Sequence, residues 1–264
     1  MKILRYVVLA TLLWSCDAFQ YSPNEVRLEN HERDINARNI QKLSLLQASD
    51  TLKFILIGDS QRFYDETEKF VNTINQLEDV SFVLLAGDIS DFGLNQEFKW
   101  INERLSKLKI PYITVIGNHD MLANGRTIYN KMFGPENFSF SVHGNTFICL
   151  NTNSEEVGFD GTLPDLNWLS GQLSSAKTAK NVFVVSHVPP FSAAFDKDLE
   201  QDYAGLLRNH SNVRLSLHGH QHSFSQSYNY HDPVNYVVVG SLNKRNYALV
   251  TVTGTDCTVE EKYF

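Results

Sequence analysis

Cysteine is scarce, three in 264 residues, and so are proline (7) and glycine (14). That excludes a disulfide-stapled miniprotein and a collagen-like or low-complexity chain. No apolar stretch comes near the ~20 residues that a helix needs to span a bilayer. Positive charge is short as well: 23 Lys and Arg against 30 Asp and Glu leave a net −7 with the nine histidines neutral. Without a broad positive field no nucleic-acid partner is expected, and affinity for phosphate would need a local cation. What is present is an ordinary globular balance, 42% hydrophobic and 20% charged, long enough to bury a core without covalent staples. Nine histidines in an acidic chain are a first hint of metal.

The N-terminus reads as an address. Lys2 and Arg5 precede an almost unbroken apolar run at residues 6–14, the length of a signal-peptide core. Leu13-Trp14-Ser15-Cys16 resembles the bacterial lipobox. The resemblance implies a signal peptide over residues 1–15, a lipid on Cys16 and membrane attachment through it; an ordinary signal peptide cut after Ala18 is the alternative. Both readings export the protein, to the periplasm or cell envelope. Residues 16–50 read as a polar spacer, in which Ile35, Ile40, Leu43 and Leu46 suit one short helix packed on the domain. The domain proper is placed at 51–264.

Within it, apolar runs of strand length alternate with amphipathic stretches. Strands are expected at 52–57, 81–86, 112–116, 181–185 and 213–217. Helices are expected at 65–77, from a cap at Asn95, and at 165–173. Successive β-α-β units imply right-handed crossovers and a largely parallel sheet under helices. A hairpin is expected at 138–150 around His143-Gly144-Asn145, with further strands at 236–239, 247–252 and 258–264. The second half thus adds antiparallel strands as a second stacked sheet of an α/β domain.

Five polar clusters sit at five strand ends: Asp59, Asp88, Asn118, His187 and the pair His220 and His222. In open α/β sheets these ends share one edge, where ligands bind. Carboxylates, an amide and imidazoles without thiolates suit Mn, Fe, Zn or a similar divalent ion, and a carboxylate can bridge two. Taken singly, an Asp after a strand has a plainer reading as a turn or cap residue, and His220 and His222 as exposed strand residues. His218, just before Gly219, fits no ligand position and reads as structural. Phe191, Phe195 and Tyr203 read as packing before pocket lining, and Cys149 as a buried thiol whose pairing with Cys257 stays open.

Asp59-Ser60-Gln61, Gly87-Asp88-Ile89-Ser90-Asp91, Gly117-Asn118-His119-Asp120, His187 and Gly219-His220-Gln221-His222 together resemble the ordered motifs of the calcineurin-like metallophosphoesterases. The resemblance implies a four-layer α/β/β/α sandwich and hydrolysis of small phosphomonoesters or phosphodiesters at two divalent ions (Mn, Fe, Zn or Mg). Carried over by position, Asp59, Asp88 and His222 would hold the first ion. Asp88 would bridge to a second, held by Asn118, His187 and His220. His119 would be the general acid facing the phosphate, with Asp91 hydrogen-bonded to it and favouring its protonated form. Gln61 departs from the usual Asp-x-His. Its neutral amide oxygen is a harder and weaker donor than imidazole, which tilts the first site toward Mn or Mg. A rival reading, carried by Gln61 alone, is a binding lipoprotein that keeps the fold and has lost hydrolysis.

Overall fold

The computed structural model describes residues 22, 24–47 and 49–264. The expected signal peptide, Cys16 and the spacer through residue 21 lie outside the described residues. Among the described residues no helix is long and apolar enough to cross a membrane.

Continuous apolar runs form the inner strands, as a sheet covered on both faces requires. β1 (Thr51–Ile57), β2 (Phe82–Leu85) and β3 (Tyr112–Thr114) run parallel, and β2 is buried along its whole length. In the second sheet β5 (Asn145–Cys149), β6 (Asn181–Val185), β7 (Val213–His218) and β9 (Asn235–Val238) are parallel. Its two edges, β4 (Phe138–Val142) and β8 (Ser225–Ser227), are antiparallel. The remaining strands, β10 (Asn246–Thr253) and β11 (Asp256–Tyr263), form a hairpin that pairs back onto β1. The strand orders are β11-β10-β1-β2-β3 and β4-β5-β6-β7-β9-β8.

This corrects the expected division of the chain. Of the tail strands, the one expected at 236–239 joins the second sheet as β9, whereas β10 and β11 extend the first, and most of the second sheet is parallel. Val250 and Val252 lie buried between the sheets opposite the β1 residues Phe54 and Leu52, so the register hides that face of the hairpin.

Three apolar layers separate four structural ones. Between the sheets, Phe54, Phe82, Phe140, Phe147 and Phe183 meet ring to ring, with centroids 4.8 Å apart for Phe140–Phe147 and 4.9 Å for Phe147–Phe183. Outside the first sheet, α2 (Tyr64–Ile74), α3 (Asn95–Leu105) and α4 (Gly125–Met132) bring Phe70, Phe98, Ile101 and Tyr129 onto Ile55, Ile57, Val83 and Leu85. Outside the second, α5 (Leu166–Ser175) and α6 (Lys197–Arg208) bring Leu169, Leu173, Tyr203 and Leu207 onto Ile148, Val182 and Val184. The architecture is α/β/β/α.

The stretch expected as a spacer is built into the fold from Leu28 onward. α1 (Ile35–Leu43) buries Ile35 and Leu43 and lies against β3. Asn36 bonds both the N–H (3.0 Å) and the carbonyl (2.9 Å) of Thr114, and Asn39 donates to the Tyr112 carbonyl at 2.7 Å. These amides satisfy the open edge of the first sheet, which would otherwise offer itself to another strand. Asn95 differs from expectation too. It is the first residue of α3, not its cap, and its amide bonds the Arg27 N–H and carbonyl at 3.3 Å each. Cys149 and Cys257 are free thiols.

Candidate metal centre

The loops leaving β1, β2, β3, β6 and β7 meet at one end of the sandwich. Their backbones are tied together: Asp59 N–H donates to Gly87 O at 3.1 Å, Gln61 N–H to Asp88 O at 2.9 Å, and Gly219 N–H to His187 O at 3.1 Å. Space is so short that a Cβ on Gly117 would lie 2.1 Å from the Asp88 nitrogen, and one on Gly87 2.6 Å from His187 Nδ1. Asp59, Gln61, Asp88, His220 and His222 all sit at positive φ, between 26° and 71°. Left-handed backbone at non-glycine residues is costly and gathers at functional sites.

Asp59, Asp88 and His187 are buried and offer ligand atoms within 4.8 Å of one another. His187 Nδ1 donates to the Ala86 carbonyl at 2.6 Å, which leaves Nε2 facing Asn118 Oδ1 at 2.9 Å and Asp88 Oδ1 at 3.3 Å. His220 Nδ1 stands 3.1 Å from the same Asn118 oxygen. On the other side of Asp88, Gln61 Nε2 donates to Oδ2 at 2.9 Å. His222 Nε2 lies 3.1 Å from Asp59 Oδ1, yet that buried oxygen accepts no well-formed hydrogen bond. His222 itself is exposed at the rim.

These residues fit divalent cations. Neighbouring ligands held about 2.1 Å from one octahedral ion stand roughly 3 Å apart, which is the spacing of His187 Nε2 from Asp88 Oδ1 and Asn118 Oδ1 and of His220 Nδ1 from Asn118 Oδ1. An orphaned buried carboxylate oxygen beside an imidazole is the kind of vacancy in bonding that a cation satisfies.

The electrostatics of these groups follow from burial and from one another. Burial alone would push Asp88 up, but the His187 charge overrides it and holds the carboxyl at about 2. Burial pulls His187 down, and the carboxylates of Asp88 and Asp59 more than reverse this, to about 10. Asp59 is raised, chiefly by burial. His220 is lowered to about 4 by burial and by the His187 charge. The cluster therefore favours positive charge on His187 beside the Asp88 carboxylate.

His119 stands beside this set. Its Nδ1 bonds the main-chain carbonyl of Asp91 at 2.7 Å, and its own N–H donates to Asp88 Oδ1 at 3.0 Å. The expected partner, the Asp91 carboxylate, is 3.8 Å from Nδ1 and instead pairs with Arg62 at 2.8 Å. Asp91 thus touches His119 through its backbone, because its side chain is taken up by a cation from the neighbouring loop.

One buried carboxylate was absent from the sequence reading of the site. Asp120 accepts from the N–H groups of Ile89, Ser90 and Gly117 and from the Ser90 hydroxyl, at 2.8–2.9 Å, and so locks the Asp88 loop to the Asn118 loop. Burial, with the nearby Asp88 charge, raises it to about 7. The signal lay in Gly117-Asn118-His119-Asp120 itself: an acid one turn beyond a strand end, with glycine N–H within reach.

His218 is buried beneath the site, with Nδ1 3.0 Å from Ser186 Oγ and Nε2 2.8 Å from Ser216 Oγ. Burial and the His187 charge lower it to about 3, so it is neutral. Phe195 and Tyr203 are buried in the outer layer of the second sheet, and Phe191 packs against it.

A family model described as calcineurin-like phosphoesterase matches residues 52–224. A 3',5'-cyclic-nucleotide phosphodiesterase of Nostoc sp. is 26% identical over 195 residues, 69% of this chain and 73% of that protein. A probable glycerophosphodiester phosphodiesterase of Arcobacter nitrofigilis is 26% identical over 155 residues, 54% and 57% of the two chains. Among solved structures, a dimetal phosphatase from Danio rerio superposes with a TM-score of 0.62 at 15% identity, over 81% of this chain and 99% of that one. Motif order, the sandwich and the clustered donors agree with the match, and the chain belongs to the calcineurin-like phosphoesterase family.

Proposed function

We propose that this protein hydrolyses phosphodiesters at a pair of divalent cations. Asp59, Gln61, Asp88 and His222 would hold one, and Asp88, Asn118, His187 and His220 the other. The observation that carries the reading is the convergence of Asp88, Asn118, His187 and His220 within 3.3 Å contacts directly beside His119. When bound, the ions supply Lewis acidity toward the phosphoryl oxygens and positive charge that the acidic chain lacks. Diesters are favoured over monoesters because the relatives named above are named for diester substrates.

His119 handles the proton. The Asp91 carbonyl holds the hydrogen on Nδ1, so it is Nε2 of the imidazolium that would give its proton to the departing alkoxide, leaving a neutral ring with its hydrogen on Nδ1. Asp120 keeps His119 and Asp88 in register by tying their loops. The protein is also read as exported and lipid-anchored through Cys16. Labelled palmitate should enter the parent protein and not a Cys16→Ser variant.

The decisive experiment is hydrolysis of bis(p-nitrophenyl) phosphate and p-nitrophenyl phosphate with Mn²⁺ and with chelator. Activity on the diester that chelator abolishes is expected. His119→Ala should lower it by about 10²–10⁴-fold while keeping metal. Full metal loading with activity on neither ester would favour the binding-lipoprotein reading instead.

A further inference from the structure

Two large apolar side chains are left in solvent on the loops that hold His119. Phe92 is 57% exposed and follows directly on Asp91, whose carbonyl receives His119 Nδ1. Leu122 is 40% exposed and its N–H donates to the His119 carbonyl at 3.3 Å. The two loops abut: a Cβ on Gly93 would fall 2.1 Å from the Leu122 oxygen. The Phe92 loop is not slack. Glu97 Oε2 accepts from the N–H groups of Phe92 (2.9 Å) and Leu94 (3.2 Å), and Asp91 is pinned by Arg62. A rigid loop that presents an unpacked aromatic ring spends apolar surface that folding would otherwise bury, and such surface beside a polar site marks a place for a ligand.

We propose that Phe92 and Leu122 form the leaving-group subsite and take a planar aromatic group carried by the departing alcohol. The inference rests on His119 as the acid for the departing oxygen, since the group beside that acid is the one that leaves. Ring-on-ring contact is tolerant of substituents, so the subsite selects flatness and not one named compound. Glu97 positions the ring and does not touch the substrate.

The test is calorimetric titration of the Mn²⁺-loaded protein with phenylphosphonate and methylphosphonate. The parent should prefer the phenyl compound by about tenfold. Phe92→Ala should reduce the preference below about threefold, in line with the usual worth of one stacked ring, and Phe92→Tyr should restore it. Equal preference in the parent and Phe92→Ala overturns the subsite while leaving the phosphoester reading intact. Loss of both compounds alike in Phe92→Ala also overturns it, since the ring would then only support the loop. If neither phosphonate binds the loaded parent, the phosphoester reading itself fails and the subsite with it.

Discussion

The space between the two sheets and the loops at their shared end are both buried, and they are built on opposite rules. Between the sheets, Phe54, Phe82, Phe147 and Phe183 fill space with apolar rings in ordinary strand conformations. At the loop end, carboxylates and imidazoles occupy positive-φ backbone, and Asp59 keeps an oxygen without a hydrogen bond. The first region lowers the free energy of the chain by removing apolar surface from water. The second raises it, because buried charge and left-handed backbone are unfavourable unless something else compensates. The lesson is that the apolar layer carries the stability that lets the loop end remain unfavourable until cations arrive.

If that division holds, the two regions should respond oppositely to substitution. Phe147→Ala is expected to have the largest effect on stability, about 3–5 kcal/mol, because its ring is fully buried and touches four other rings. Thermal unfolding should shift down by roughly 10 °C for a domain of this size, and Mn²⁺ affinity of the folded protein should stay within about twofold. A large loss of metal affinity would show that the layers are not separable. Asp59→Asn should do the reverse. Removing a buried carboxylate whose pKa burial raises should lift the unfolding temperature of metal-free protein by a few degrees, roughly 1 kcal/mol. Metal affinity should fall by about 100-fold. A lower melting temperature in the metal-free variant would mean that Asp59 stabilises the fold by itself.

The same contrast separates what the sequence made legible from what it did not. Phe54, Leu84 and Val184 announce themselves as apolar runs bounded by Gly-Asp or Ser-His, so strand positions and the polar residues that follow five strand ends could be read directly. Asp120 could not be ranked above any other acid, because its role depends on N–H groups 30 residues away that only folding brings near. The destination of the β10–β11 hairpin was hidden for a related reason. Alternating Tyr247, Leu249 and Thr251 fits an edge of either sheet, and only pairing with β1 decides. α6 was missed although Tyr203 and Leu207 sit one turn apart, because its polar start after Asp196 reads as loop until Asp196 is seen accepting from Asp198 N–H. Asp91 was legible as a neighbour of His119 but not as one that meets it through its carbonyl, since Arg62 takes the carboxylate.

A pH titration of stability sharpens the comparison with two histidines of opposite sign. His187 is raised to about 10 when folded. It therefore stabilises metal-free protein below pH ~6.5, and that contribution is lost as pH rises toward 10. His218 is lowered to about 3. Its unfolded form binds the extra proton, so stability falls as pH drops below ~6.5, by about 1 kcal/mol per unit. Added Mn²⁺ should restore the alkaline side, where a cation replaces the His187 proton, and leave the acid limb from His218 in place. His218→Asn should flatten that acid limb in chemical denaturation measured from pH 7 to 5.

The smallest expected effect concerns the residue that departs from the usual motif. Gln61 is buried at positive φ with its amide nitrogen on Asp88 Oδ2. It therefore already lies against the Asp88 carboxylate, and an imidazole placed there would offer a cation held by Asp88 a stronger donor. Gln61→His should tighten binding of the weaker of two Mn²⁺ ions by about tenfold, or about 1.4 kcal/mol, and improve Zn²⁺ relative to Mn²⁺. The gain is modest because the new side chain must give up the amide's hydrogen bond to Asp88, and a buried acceptor left with one fewer donor costs a comparable amount. Calorimetric titration reads both steps separately. If stoichiometry and both affinities match the parent, Gln61 does not face a cation, and the carboxylate side of the site has to be held by Asp59, Asp88 and His222 alone.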